Sequence, residues 1–209
     1  MTTRFVLATA NPDKAAEIER ILADAGAPVV LVPRPVDVAD VDETGATLEE
    51  NARLKAVALT EATGLPAIAD DTGLEVDALE GEPGVYSARF AGPAATYADN
   101  CALLLERLAA VAPERRTARF VTVAIARWPD GREVAAFGSV EGRITEVARG
   151  EGGFGYDPVF AADDAGGATF AELTAPEKHA ISHRGRAFRT LGEGLSVLAE
   201  VGDSCVEDC

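Results

Sequence analysis

The sequence predicts an α/β fold, with a mixed, partly antiparallel sheet flanked by helices and two lobes around a central cleft. Three observations carry this expectation. Apolar runs of strand length, such as Phe5–Ala8 and Ala67–Asp70, alternate with segments whose apolar residues recur at helical spacing. From Thr117 to Val140 the chain reads as one long hairpin, turned at Pro129-Asp130-Gly131, which adds antiparallel strands. The 209 residues are 47% hydrophobic, enough to give one large domain or two closely packed lobes a real core, and no repeat or low-complexity linker divides them.

The elements follow in order. Phe5-Val6-Leu7-Ala8 reads as a buried first strand, and Ala15, Ile18, Leu22 and Ala25 then mark one face of a helix that Gly26 ends. Val29–Val32 is a second strand, followed by an acidic, proline-containing loop to Glu43-Thr44-Gly45. Thr47 and Glu50 form a capping box for a helix carrying Leu48, Ala52, Ala56 and Leu59, closed by Gly64. Ala67–Asp70 is a strand, and Leu74–Gly92, rich in Gly, Pro and small residues, is an ordered excursion. Thr96 and Asp99 start a helix through Leu108, and the hairpin comes next. A glycine-rich loop leads to a short strand at Val159-Phe160, and Thr174 with Glu177 caps a last helical region that reaches Leu198 with a break at Ser182. Residues 1–201 are expected to form one two-lobed domain, and 202–209 a frayed acidic tail.

Net charge is −16 at pH 7, which argues against broad adhesion to nucleic acid. No apolar stretch is long enough to span a bilayer, and the N-terminus shows no leader pattern. Cys101, Cys205 and Cys209 are too few and too scattered for a disulfide framework, so a cytoplasmic location is expected; Cys101 reads as core, and the C-x3-C pair lacks a second pair of metal ligands.

The chemistry concentrates in a few segments. Asp70-Asp71-Thr72-Gly73 leaves an apolar strand, and two carboxylates there persist only if paired, hydrogen-bonded or metal-bound. The Thr-Gly is expected to bend the chain and offer donors to a phosphate beside a cation, or to close the strand as a plain turn. Thr9-Ala10-Asn11-Pro12-Asp13-Lys14 lies at a strand-to-helix junction, where backbone N–H groups favour phosphate. Asn11 also suits a simple N-cap, and the segment lacks Walker spacing. Lys55 reads as a solvated surface lysine, and Asp42-Glu43 reads either as a solvated acidic loop or as the source of a metal carboxylate. In Gly152-Gly153-Phe154-Gly155-Tyr156-Asp157-Pro158, glycines flank two aromatics, which lets backbone approach a flat ligand while a ring stacks on it. Lys178, His183 and Arg184 belong to a short basic cluster out of character with so acidic a chain.

Together these segments resemble the inosine triphosphate pyrophosphatase family, enzymes that clear deaminated purine nucleotides. The match runs through Leu7–Asn11 with Lys14, Glu43-Thr44-Gly45, Glu50-Asn51-Ala52 with Lys55, Ala67–Leu74, Pro83–Arg89, Gly152–Pro158, and Glu177-Lys178 with Ser182–Gly185. The resemblance implies Mg²⁺-dependent hydrolysis of a purine nucleoside triphosphate (dITP, ITP or XTP) to the monophosphate and pyrophosphate, an active-site cleft between lobes, and a homodimer. By motif, Thr9–Lys14, Lys55 and Thr72 hold the phosphates, Asp71 is general base and metal ligand, and Glu43 is the second metal ligand. Phe154, Gly155, Tyr156, Asp157, Lys178, His183 and Arg184 surround the base. Ala10 stands where glycine is common, which would narrow the phosphate cradle if that position needs positive φ.

Overall fold

The computed structural model describes residues 2–204, with side chains through residue 199. Cys205 and Cys209, and so the question of a metal-binding C-x3-C pair, lie outside the described residues. The chain runs β1 (Thr3–Leu7), α1 (Pro12–Asp24), β2 (Val29–Val32), α2 (Leu48–Thr63), β3 (Ala67–Val76), β4 (Pro83–Gly84), α3 (Tyr97–Arg107), β5 (Thr117–Arg127), β6 (Glu133–Ile144), β7 (Phe160–Ala162), α4 (Ala175–Ile181) and α5 (His183–Ser204). Among the described residues the strands form one seven-stranded sheet in the order β2-β1-β3-β5-β6-β7, with β4 on β3. β1 lies parallel to both β2 and β3, whereas β3–β4 and β6–β7 are antiparallel, so the sheet is mixed as expected.

Local chemistry accounts for the helix starts. Thr47 with Glu50 and Thr96 with Asp99 form reciprocal capping boxes at α2 and α3, and Thr174 with Glu177 does so at α4. Ser182 breaks the final helical region between α4 and α5, and α5 continues through Gly202 to Ser204. The largest departure from the sequence reading is β3. It runs on through Thr72 and Gly73 to Val76, so the double aspartate sits in mid-strand and the Thr-Gly is extended chain, not a turn.

The chain resolves into two compact units. One comprises the chain up to Asp71, Val123–Gly138 and the segment from Gly185 onward; the other comprises Thr72–Thr122 and Ser139–Arg184. In the first unit, strand alternation sorts side chains into two apolar clusters. Phe5, Leu7 and Ile68 pack with Ile18, Ile21 and Leu22 of α1 and with Phe188 and Leu191 of α5. Val6, Ala8, Ala67 and Ala69 pack instead with Ala52, Ala56 and Leu59 of α2. The core of the second unit gathers Leu74, Val76, Leu104, Leu108, Phe120, Phe160 and Phe170.

Candidate active site

That alternation decides the fate of the two aspartates. Asp70 shares the parity of Ile68, on the α1 side, and Asp71 shares that of Ala67 and Ala69, on the α2 side. The ion pairs follow. Lys14 Nζ, from α1, lies 3.2 Å from Asp70 Oδ2, whereas Lys55 Nζ, from α2, donates to Asp71 Oδ1 at 2.8 Å. Adjacent in sequence, the two carboxylates serve separate cations. Both are buried, and each has the partner that burial demands.

Lys55 also donates to Glu43 Oε1 at 3.0 Å, so one ammonium joins two carboxylates. The loop carrying Glu43 is fastened to the start of α2 at three successive amides. Gly45 N donates to Asn51 Oδ1 at 2.8 Å, and Ala46 N and Thr47 N donate to Glu50 Oε2 at 2.6 and 3.3 Å. A Cβ on Gly45 would fall 2.6 Å from Glu50 Cβ and 2.7 Å from Asn51 Oδ1, so only glycine lets the loop come this close. Asn51 completes the cluster by donating from Nδ2 to Asp71 Oδ2 at 3.3 Å. Read singly, neither Lys55 nor Glu43 could be told from a solvated surface group; the structure brings both to Asp71.

Burial pushes the Asp71 carboxyl above the usual carboxylate range, more than Lys55 and Lys14 pull it back, and the nearby Glu43 charge adds to the rise. Lys55 loses by its own burial but is held above the usual lysine range by Asp71, Asp70 and Glu43.

At the start of α1, Asn11 Oδ1 accepts from Asp13 N at 2.9 Å and Lys14 N at 3.3 Å, with Pro12 opening the helix. The N-cap role weighed for Asn11 is therefore realised. Thr9 Oγ1 accepts from Asn11 N at 3.2 Å, folding its hydroxyl back onto the loop. Thr9 and Ala10 border a cavity of about 680 Å³ shared with Leu7, Ala15, Arg34 and Val38. Among the described residues Glu80 alone is a non-glycine at positive φ, so Ala10 is unstrained and the narrowing expected there does not arise.

The remaining candidates belong to the second unit. Asp157 Oδ2 accepts from Lys178 Nζ at 2.6 Å and from Phe154 N at 2.8 Å, both within buried surroundings. Lys178 Nζ and Arg184 Cζ lie 4.8 and 5.5 Å from the Phe154 ring centroid, close enough for cation–π attraction. Gly153 permits this knot: at φ +69°, a Cβ there would fall 2.0 Å from Asp157 Oδ2. Tyr156 and His183 are buried. The Tyr156 hydroxyl donates to Ser87 O at 2.9 Å, and His183 stacks on Phe120 with centroids 4.5 Å apart. Both lie in the core, and it is Phe154 that supplies the partly exposed ring. Arg184 Nη2 donates to Thr72 Oγ1 at 3.3 Å, and the hydroxyls of Thr72 and Thr122 are 2.7 Å apart.

Sequence reading left Asn51 and Thr122 without a role. Asn51 carried a faint signal, since it lies one turn before Lys55 on α2 and shares its face. Thr122 carried none, because its partner is 50 residues away.

The donors fit a magnesium ion. Glu43 Oε1 and Asp71 Oδ1 already converge on one cation, the Lys55 ammonium, and both are hard oxygen donors. No group of three or more His, Cys, Asp or Glu side chains is placed to hold a metal among the described residues. Two carboxylates with phosphate oxygens and water making up the shell is the arrangement Mg²⁺ favours.

Comparison with known proteins agrees over most of the chain. A dITP/XTP pyrophosphatase of Streptomyces coelicolor is 51% identical over 191 residues, covering 90% of this chain and 95% of that protein. One of Thermus thermophilus is 52% identical over 190 residues, covering 91% and 90%. The solved structure of a HAM1 protein from Coxiella burnetii superposes with a TM-score of 0.83 at 40% identity, covering 95% of this chain and all of that one. The model of the Ham1 family matches residues 5–193, and the chain belongs to that family.

Proposed function

We propose that this protein hydrolyses deaminated purine nucleoside triphosphates, dITP, ITP and XTP, to the monophosphate and pyrophosphate, with Mg²⁺ bound by Glu43 and Asp71. The observation that carries the reading is the meeting of Asp71 and Glu43 on Lys55, with Lys14 held by the neighbouring Asp70. Relatives at about 50% identity that are dITP/XTP pyrophosphatases support the substrate class.

The chemistry is attack of water on the α-phosphorus. The water oxygen bonds to phosphorus, the bond from phosphorus to the bridging oxygen of the leaving pyrophosphate breaks, and the water proton passes to Asp71. Lys14 and Lys55 offset the charge that develops on the phosphate oxygens, and Thr9 and Asn11 orient the chain of phosphates. The metal, when bound, neutralises phosphate charge and acts as a Lewis acid.

In the second unit, Phe154 offers its ring to the base while Lys178 and Arg184 supply donors. Hypoxanthine and xanthine present a 6-oxo acceptor to these donors. Adenine presents an amino group there, and two donors facing each other in a dry pocket cost roughly 1–3 kcal/mol. The working form is a cytoplasmic homodimer. Among the described residues no helix is long and apolar enough to cross a membrane.

A substrate panel of dITP, XTP, dATP, dGTP and dUTP tests the reading. Pyrophosphate is expected from dITP and XTP, with the others turned over far more slowly. Equal rates across the panel, or orthophosphate with a diphosphate product, would show the reading to be wrong.

A further inference from the structure

We infer that Asn51 is a positioning residue that sets the orientation of the Asp71 carboxylate and ties it to the loop carrying Glu43. The inference rests on the pyrophosphatase reading above. Asn51 is fully buried on α2, one turn before Lys55. An amide side chain can be turned end for end, and here a backbone group decides which way it lies. Gly45 N–H can only donate, so it holds Oδ1 of Asn51 at 2.8 Å and leaves Nδ2 toward Asp71 Oδ2, 3.3 Å away. Asp71 Oδ1 is taken by Lys55 at 2.8 Å. A carboxylate held at both oxygens by donors from one helix face cannot rotate about its last bond without losing one of them.

The same amide fixes the distance to the second carboxylate. Glu43 sits two residues before Gly45, and Gly45 is pressed against Asn51 closely enough to exclude any Cβ. Asn51 thus spans the two carboxylates on the backbone side, as Lys55 spans them on the charged side. An aspartate at position 51 could still accept from Gly45 but would set an anion against Asp71. A leucine could do neither. An amide accepts from the loop and donates to the carboxylate through two separate atoms, whereas a hydroxyl of similar size would have to reach both partners from one oxygen.

The test is Asn51→Ala in the full-length protein, with Asn51→Ser measured alongside in case alanine does not fold. Three quantities are compared with wild type: kcat and KM for dITP, the stoichiometry and Kd of a non-hydrolysable dITP analogue, and hydrogen–deuterium exchange over residues 43–47. Loss of a supporting hydrogen bond behind a functional carboxylate typically costs about 10–100-fold in activity. The expected result is therefore a kcat per binding site about 10–100-fold lower, with analogue Kd and KM within about threefold, and faster exchange at residues 43–47. A variant that merely unfolds would lose binding stoichiometry, not kcat per site. Unchanged kcat per site in both variants, or a Kd that weakens in step with kcat, would overturn the inference while leaving the pyrophosphatase reading intact. Wild-type protein that releases no pyrophosphate from dITP would overturn both.

Discussion

Asp71 accepts from Lys55 and Asn51 at separate oxygens, and that arrangement dictates how its variants should behave. Asn at position 71 keeps the size but has one acceptor for two donors, and it can neither take a proton nor carry charge. Asp71→Asn is expected to lower kcat by about 10²–10⁴-fold while nucleotide binding, read by titration in excess Mg²⁺, persists because Glu43 and the phosphate oxygens still hold the ion. A kcat within about tenfold of wild type would move the base to another group, with Asp70 the first candidate. Lys178 presents a different case, because its ammonium is the cation for the buried Asp157. Removing one member of such a pair strands a charge, at a cost of about 3–5 kcal/mol, so Lys178→Ala should lower Tm by roughly 10 °C. Loss of the donor should also lower kcat/KM for dITP relative to dATP. Stability lost with that ratio unchanged would give Lys178 a place in the fold and none in reading the base.

The Gly152–Pro158 segment works as a unit, and two of its glycines separate space from backbone conformation. Both Gly153 (φ +69°) and Gly155 (φ +64°) are left-handed, but a Cβ on the first meets Asp157 Oδ2 at 2.0 Å while one on the second meets nothing within 4 Å. Gly155→Ala should cost only the backbone preference, about 1–2 kcal/mol of stability. Gly153→Ala must in addition displace the carboxylate that holds Lys178 and the Phe154 amide, and kcat/KM for dITP should fall by up to about 10²-fold. Equal effects from the two would mean that the Asp157 contact is not what requires glycine. This segment was legible in the sequence as a glycine-flanked aromatic pair, but which aromatic faces outward was not. Tyr156 turns inward because its hydroxyl finds Ser87 O, 69 residues away. The capping boxes at α2, α3 and α4 were legible because their partners lie three residues apart. β3 misled for the converse reason. Thr72-Gly73 has the local chemistry of a turn, yet pairing with β4 at Leu74 and the Thr72–Thr122 contact hold it in the sheet, and both come from distant chain.

Charge sets the terms for the whole molecule. The chain carries −16 at pH 7, so its overall field repels a triphosphate, and affinity must come from the site itself. The cluster in the first unit does not supply it unaided. Lys14 and Lys55 face Asp70, Asp71 and Glu43, two ammonium groups against three carboxylates. With both lysines already committed to carboxylates, a polyanion entering that cluster meets no net positive charge. A divalent cation reverses the sign of the cluster and gives phosphate oxygens a partner, so magnesium should be required for binding as well as for chemistry. Chelation with EDTA is therefore expected to lower pyrophosphate release from dITP by at least about 100-fold, roughly 2.7 kcal/mol, and excess Mg²⁺ should restore it. Mg²⁺ without nucleotide should raise Tm, because an ion that binds the native site stabilises it by mass action. Turnover that survives chelation would mean that Lys14 and Lys55 leave their carboxylates to hold the phosphates, and the assignment of Glu43 and Asp71 as metal ligands would fall.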